Sequence, residues 1–137
     1  MTENEIGKLV VDSAIAVHRE LGPGLLESVY EVILAHHLRQ QGMRAERQVP
    51  IPIEYQRVKF DEAFRADILV EGKVILELKS VEQINQVHKK QLQTYLRLTG
   101  LKLGFFAQLR GGLNEARDRA CSQWACGRLT LCDLGAM

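Results

Sequence analysis

The sequence is poor in aromatic residues, in net charge and in long hydrophobic runs. Aromatic residues make up 6% of its 137 residues, and the formal net charge is +1 at pH 7. The longest apolar runs span a few residues, whereas a membrane-spanning helix needs about 20, and the N-terminal MTENEIGK lacks the hydrophobic region of a signal peptide. The near-neutral balance excludes a strongly basic nucleic-acid binder. We therefore expect a soluble, cytoplasmic protein.

Proline and glycine are also too scarce for a collagen-like or disordered chain, with three Pro and eleven Gly. Hydrophobic residues make up 46% of the sequence. At this length a single core buries roughly two-thirds of the surface that the unfolded chain exposes. The composition therefore predicts a domain that folds without a metal or a disulfide framework.

Hydrophobic spacing predicts two helices at the N-terminal end. Apolar residues recur every three or four positions over 6–21, and the Gly-Pro-Gly at 22–24 ends this pattern. A second helical pattern covers 26–38 and ends near the Gln-Gly at 41–42, a favourable C-terminal stop. Two helices therefore precede the first strand.

The period then changes to that of strands. Residues 49–60 have strand-forming character, and Pro50 and Pro52 indicate an edge strand. Two runs at 63–70 and 73–78, separated by Glu-Gly, are typical of a hairpin. A helical pattern over 84–98 and a strand over 101–106 follow. The predicted order is ααβββαβ, an α/β fold with a mixed central sheet.

The hairpin carries the residues with the clearest chemical meaning. Asp67 lies on its first strand, and Glu77 and Lys79 bracket Leu78 on its second. Residues i and i+2 of a strand share a face, so Glu77 and Lys79 point together, with Asp67 within cross-strand reach. Converging carboxylates repel each other unless a cation lies between them, and hard oxygen ligands suit Mg²⁺ or Mn²⁺. The competing interpretation is the solvated face of an ordinary hairpin.

Three residues of the third predicted helix share one face: Gln91 and Tyr95 are four residues apart, and His88 lies three residues before Gln91. His88 is interpreted as a solvated helix residue, with a phosphate contact as the alternative. Glu27 lies near the start of the second helix, where the helix dipole favours a carboxylate. These positions extend the candidate site beyond the hairpin.

The sequence resembles the PD-(D/E)XK nuclease superfamily, specifically its members with a RecB-type QxxxY helix. The residues that carry the resemblance occur in the order of the family's motifs: Asp67, then Glu77-Leu78-Lys79, then Gln91 and Tyr95. Residues 24–30, GLLESVY, also match the GxxExxY signature of one small bacterial and archaeal family in that superfamily. The resemblance covers roughly residues 5–106. It implies a restriction-endonuclease-like core.

The resemblance also implies residue roles. Asp67 and Glu77 would be metal ligands, with the Leu78 carbonyl as a third protein ligand, and Lys79 would position or activate the attacking water. Glu27 matches the helix carboxylate that binds or orients a metal-bound water. Gln91 and Tyr95 would contact phosphate or hold Lys79. Gly24 and Tyr30 are instead interpreted as structural, Gly24 as a turn residue and Tyr30 as a core aromatic.

The function implied is a Mg²⁺- or Mn²⁺-dependent nuclease that hydrolyses phosphodiester bonds, with DNA as the first expected partner. The alternatives are a catalytically inactive module for nucleic-acid binding or complex assembly, and a purely structural partner. No membrane partner is expected, and a homodimer is left open. A local basic surface is a further candidate contact for phosphates, its members being Arg44, Arg47, Arg57, Lys59, Lys89 and Lys90.

After Phe106 the sequence departs from the ending of that family, which resembles GLLINFG followed by GIxRVVNGL. Permitted codons for residues 107–128, read with the first base dropped, encode LNFGAGLMKREIARVVNGLAE, which resembles that ending. We hypothesise that a single-base frameshift replaced the native C-terminus after about Phe106. The chain then divides into a nuclease-like domain at 1–106 and an atypical tail at 107–137.

The tail also holds every cysteine: Cys121, Cys126 and Cys132. Three cysteines with no histidine nearby are one ligand short of a structural zinc site, and a disulfide is disfavoured in the cytoplasm. We interpret the cysteines as a by-product of the changed frame. Apolar residues over 110–126 still recur at helical spacing and predict a helix there.

Overall fold

The computed structural model describes residues 1–21, 25–79, 86–108 and 129–133. Within them the chain forms three helices and five strands. The helices are α1 (Glu3–Leu21), α2 (Glu27–Gln40) and α3 (Gln86–Thr99), and the strands are β1 (Ala45–Tyr55), β2 (Val58–Val70), β3 (Val74–Lys79), β4 (Leu103–Gln108) and β5 (Leu129–Asp133).

The first seven elements follow the predicted order ααβββαβ. Strand β5 was not predicted, although Leu129 and Leu131 alternate with polar or small neighbours as in a half-buried strand. Three predicted features lie outside the described residues: the Gly-Pro-Gly stop at 22–24 with Gly24 of the signature, the start of the third helix at 84–85, and the helix at 110–126 with its cysteines.

Local sequence sets the ends of the first two helices. At α1, the Thr2 N–H donates to the Glu5 carboxylate at 2.8 Å, and the Glu5 N–H donates to Thr2 Oγ1 at 3.2 Å, which forms a capping box. At the end of α2, Gly42 has φ +85° and its N–H donates to the Arg39 carbonyl, while the Met43 N–H donates to that of Leu38. The Gln-Gly stop predicted at 41–42 is therefore confirmed.

The strands form one mixed sheet in the order β1-β2-β3-β4-β5. The β1–β2, β2–β3 and β4–β5 pairs are antiparallel, and β3–β4 is parallel across the α3 crossover. Strand β1 is an edge strand, as Pro50 and Pro52 predicted, and its register with β2 shifts between Ile51 and Ile53. The mixed α/β sheet is consistent with the expected restriction-endonuclease-like core.

Helices cover both faces of the sheet. Helices α1 and α2 pack on the face that carries Leu76, Leu78 and Phe105, and α1 approaches β4 so closely that a Cβ on Gly7 would lie 3.0 Å from Leu103 Cδ2. Helix α3 covers the other face with Leu92 and Leu96 among its contacts. No helix in the described part of the chain is long and apolar enough to cross a membrane.

The apolar sets that predict the helices over 6–21, 26–38 and 84–98 include five residues that are exposed instead: Leu21, Leu26, Val29, Val87 and Leu98. Leu26 lies at the N-cap of α2, before the helix begins, and is 72% exposed; Val87, in the first turn of α3, is 71% exposed. Val29 and Leu98 are about two-fifths exposed because they flank the buried stripes. Hydrophobic spacing thus predicted the positions of the helices, but the apolar faces that it predicted are wider than the faces that are buried.

Candidate active site

Two carboxylates lie where the β2–β3 ladder ends. Regular pairing runs from Val70 opposite Val74 to Ile68 opposite Leu76, and Asp67 and Glu77 are the next residues on the two strands. The Asp67 N–H donates to Glu77 Oε1 at 3.3 Å, and the Leu78 N–H donates to Asp67 Oδ2 at 2.8 Å. Side-chain oxygens therefore accept backbone N–H groups here, which fixes both carboxylates on the strands.

The environment opposes ionisation of both groups. Burial, with the charge of Asp67 adding to it, raises the pKa of Glu77 from 4.5 to about 8. Burial also raises the pKa of Asp67; the hydrogen bond from the Leu78 backbone opposes this shift, and the charge of Glu31 adds to it. Negative charge is therefore costly at this point, and a cation between the carboxylates would remove that cost.

Lys79 follows Glu77 on the same face of β3. Its positive charge lowers the pKa of both Asp67 and Glu77, against the larger effect of burial, so its ammonium lies close enough to act on them. Leu78, between Glu77 and Lys79, is 2% exposed in the core beneath α1 and α2. Strand alternation thus places Glu77 and Lys79 on one face, and the Asp67 backbone N–H reaches the Glu77 carboxylate across the strands.

A third acidic side chain reaches this group from α2 and was missed by the sequence analysis. The side chain of Glu31 is 7% exposed. Gln48 Nε2 of β1 donates to Glu31 Oε2 at 2.8 Å and to Asp67 Oδ1 at 3.3 Å, and Arg47 Nε pairs with Glu31 Oε1 at 3.1 Å. One available signal was that Glu31 lies beside Tyr30 within the apolar stripe, where an acidic residue is unusual unless it is paired.

The role predicted for Glu27, beside the metal, stays a prediction. It is the first residue of α2 and is exposed. Glu31, one helical turn further along α2, is linked to Asp67 through Gln48. Tyr30, from the same signature, is 2% exposed, and its hydroxyl lies 3.4 Å from His18 Nδ1. Its interpretation as a core aromatic with a satisfied hydroxyl agrees with this position.

Helix α3 places its two polar candidates beside β2. Gln91 Nε2 donates to the Tyr95 hydroxyl at 3.0 Å. The Tyr95 ring stacks on Phe64, with centroids 3.9 Å apart and planes 6° from parallel. Among the contacts of the described residues, none joins Gln91 or Tyr95 to Lys79.

His88 is half-buried, 6.3 Å from the Phe106 ring, so its interpretation as a solvated residue is wrong.

The predicted basic surface is partly neutralised. Arg44 pairs with Glu46 at 3.3 Å, and Arg47 pairs with Glu31. Arg57 and Lys59 are exposed at the far end of the β1–β2 hairpin. These four residues therefore do not form one continuous basic face, and Arg47 acts as a counter-charge to Glu31. The contribution of Lys89 and Lys90 to phosphate binding stays a prediction.

The donor set suits a hard divalent cation. Asp67 and Glu77 offer carboxylate oxygens that are costly to ionise without a counter-ion, and Lys79 only partly compensates them. Within the described residues, no three His, Cys, Asp or Glu side chains are grouped closely enough to hold a metal ion by themselves. Mg²⁺ commonly binds one or two carboxylates and keeps several waters, so a pair of carboxylates fits it.

A comparison with protein families agrees with this arrangement. Residues 4–115 match the model of the PD-(D/E)XK nuclease superfamily. Searches of curated proteins and of solved structures gave no significant match. The family match covers most of the chain, including β1 to β4, α3 and the whole carboxylate group. The chain therefore belongs to the PD-(D/E)XK nuclease superfamily.

Proposed function

We propose that this protein is a divalent-metal-dependent nuclease that hydrolyses phosphodiester bonds, with DNA as its substrate. The observation that carries the proposal is the convergence of Asp67 and Glu77, both with a raised pKa, beside Lys79 at the end of the β2–β3 ladder. The superfamily membership supports nuclease activity on nucleic acid.

Asp67 and Glu77 would hold Mg²⁺ or Mn²⁺, with the Leu78 carbonyl as a third protein ligand. The cation would supply positive charge to the scissile phosphate and lower the barrier to water attack at phosphorus. The hydrogen bonds that hold Asp67 Oδ2 to the Leu78 N–H and Glu77 Oε1 to the Asp67 N–H keep one oxygen of each carboxylate fixed. The protein therefore positions its ligands before substrate binds.

Lys79 would orient the attacking water and stabilise negative charge that develops on the phosphate. Its ammonium stays within electrostatic reach of both carboxylates, whose pKa it lowers. Gln91 and Tyr95 would contact a phosphate of the bound strand; their mutual hydrogen bond and the stacking of Tyr95 on Phe64 support a fixed geometry. Glu27, exposed at the start of α2, would orient a water bound to the metal.

Three further proposals are independent of the reaction. The GLLESVY segment supports membership of the GxxExxY family within the superfamily. A cytoplasmic location is the second of these proposals, and cell fractionation measures it. A homodimer is compatible with a single-site nuclease that cuts both strands of a duplex, and sedimentation of the purified protein measures it.

The test is cleavage of linear, circular and single-stranded DNA, and of RNA, with Mg²⁺, with Mn²⁺ or with chelator. We expect cleavage of DNA only with a divalent cation, and its loss in Asp67→Ala and Glu77→Ala. Glu54→Ala is the matched control, because Glu54 is exposed on β1 away from the hairpin end. Cleavage that persists in both site variants would contradict the mechanism. If no substrate is cleaved and nucleic-acid binding does not depend on a metal ion, the result would favour an inactive binding module.

A further inference from the structure

We propose that Gln48 is a positioning residue that holds the carboxylates of Glu31 and Asp67 together for metal binding. Its amide nitrogen, Nε2, donates to Glu31 Oε2 at 2.8 Å and to Asp67 Oδ1 at 3.3 Å. One NH₂ group carries two protons, so a single side chain can satisfy both acceptors. Gln48 therefore joins helix α2 to the strand that carries the metal ligand Asp67.

The backbone of β1 is shaped to make this contact. Gln48 has φ +52°, a left-handed conformation that is uncommon for a residue with a side chain and that often occurs at functional sites. Pairing with β2 has the same register on both sides of it, with Arg47 opposite Ile68 and Val49 opposite Ala66. Arg65 Nη1 donates to the Gln48 carbonyl at 3.3 Å and supports the conformation.

At this position, strand β2 passes from contact with one hydrophobic core to contact with the other. Ile68 packs in the core beneath α1 and α2, whereas Ala66, two residues earlier on β2, packs in the core beneath α3. Gln48 and Asp67 lie opposite each other at this change, since the register pairs residues on either side of them. A side chain at position 48 can therefore connect Glu31, from the α2 side, with the carboxylates on the other side of the sheet.

The charges explain why an amide suits the position. Arg47 already pairs with Glu31 Oε1, so the second oxygen needs a hydrogen-bond donor but no further positive charge. A lysine or arginine at position 48 would compete with a metal cation for Asp67, whereas a neutral amide donates to the carboxylate without replacing the cation. Gln48 thus reduces the repulsion between Glu31 and Asp67 and leaves the net negative charge of the two carboxylates in place.

The metal-binding measurement for this inference rests on the proposed function, whereas the stability measurement is independent of it. Gln48→Met removes both donors at similar volume, and Gln56→Met is the matched control, because Gln56 also has a positive φ (+48°) but lies at the exposed β1–β2 turn. We expect Gln48→Met to weaken Mn²⁺ binding, measured by electron paramagnetic resonance without nucleic acid, about 10- to 100-fold. The kcat at sub-saturating metal should fall with little change in KM, and Gln56→Met should match the wild type in each measurement.

The second arm uses metal-free protein. Gln48→Glu places a third carboxylate against Glu31 and Asp67, so we expect a lower melting temperature at neutral pH than for Gln48→Met. The double variant Gln48→Glu with Asp67→Asn exchanges amide and carboxylate between positions 48 and 67 and removes one of the three charges, so we expect it to regain part of the lost melting temperature.

The outcomes separate the two proposals. Wild-type Mn²⁺ affinity and kcat in Gln48→Met would overturn the positioning role, and so would a raised KM with unchanged Mn²⁺ affinity, which would indicate a nucleic-acid contact instead. If the wild type binds no Mn²⁺, the proposed function fails, and the double variant alone tests the contact of Gln48 with Asp67. A melting temperature above that of Gln48→Glu supports this contact, and no recovery overturns it.

Discussion

The two ends of the β2–β3 hairpin are built from the same two strands and differ in every other respect. At the turn end, Val70 and Val74 pair regularly and are completely buried. At the open end, three residues away, Asp67 and Glu77 replace the apolar pair, and side-chain oxygens accept the backbone N–H groups. The turn end contributes buried apolar surface, whereas the open end holds charges that are costly to bury.

This difference separates stability from function within one hairpin. Apolar burial at the turn end stabilises the fold in proportion to the area removed from water. The raised pKa of Glu77 and of Asp67 shows that the open end works against folding when both are ionised. Substitutions at the turn end should therefore affect stability first, and substitutions at the open end activity first.

The largest expected effect is that of Lys79→Ala on catalysis. The loss of the ammonium beside Asp67 and Glu77 should lower kcat/KM for DNA cleavage about 1,000-fold, equivalent to about 4 kcal/mol of transition-state stabilisation. Lys73→Ala is the matched control at the turn end, where Lys73 Nζ donates to the Met1 carbonyl. Equal rates for the two variants would contradict the division between the ends.

Leu76→Ala should produce the largest loss of stability. Leu76 is completely buried beneath α1 and α2, so its truncation should lower the free energy of unfolding by about 3 kcal/mol. Urea denaturation measures the change, with Val58→Ala, at a half-exposed position of β2, as the control that should change by less than about 0.5 kcal/mol. A similar loss in both variants would mean that Leu76 is not in a tightly packed core.

Glu77→Gln should stabilise the metal-free protein in a pH-dependent way. Because the folded-state pKa of Glu77, about 8, exceeds its ordinary value of 4.5, this group makes no difference to stability below pH 4.5 and progressively destabilises the fold as pH rises to about 8. We therefore expect the variant to equal the wild type near pH 4.5 and to exceed it by about 2 kcal/mol or more above pH 8.

Urea denaturation across this pH range measures that gain, with Glu54→Gln as the exposed control. A gain that is constant with pH would show that Glu77 is not the titrating group. Mg²⁺ should narrow the difference between wild type and Glu77→Gln, because the ion compensates the ionised carboxylate only in the wild type.

Tyr95→Phe should have the smallest effect of the series. The ring can still stack on Phe64, but the acceptor for the Gln91 amide is lost. We expect kcat/KM to fall about fivefold, equivalent to about 1 kcal/mol, with little change in melting temperature. A large drop in melting temperature with unchanged kinetics would make the pair a packing feature rather than part of the open end.

Much of this arrangement follows from local sequence patterns. Periodicity predicted the order of seven elements, and the prolines predicted the edge strand. Strand alternation predicted that Glu77 and Lys79 share a face, with Asp67 within cross-strand reach. These are short-range properties, since pleat and turn chemistry act over a few residues. The roles of these residues in catalysis stay predictions.

Glu31 and Gln48 escaped sequence reasoning because their meaning is non-local. Gln48 is an ordinary residue in a strand pattern until its left-handed backbone and its contact with α2 are known. The GLLESVY signature contains Glu27 but not Glu31, and the sequence alone does not show which turn of α2 faces β1. Strand β5 was overlooked for another reason: the tail was interpreted as a frameshift product, which reading the gene or weighing the intact protein tests.

The most direct test of the central claim is Mn²⁺ binding to the purified protein, followed by electron paramagnetic resonance. The wild type should bind Mn²⁺, Glu54→Gln should bind it equally, and Glu77→Gln and Asp67→Asn should each bind it at least about tenfold more weakly, since each loses an anionic ligand. A wild type that binds no Mn²⁺, or site variants that bind it as tightly as the wild type, would contradict the assignment of the open end as a metal-dependent catalytic centre.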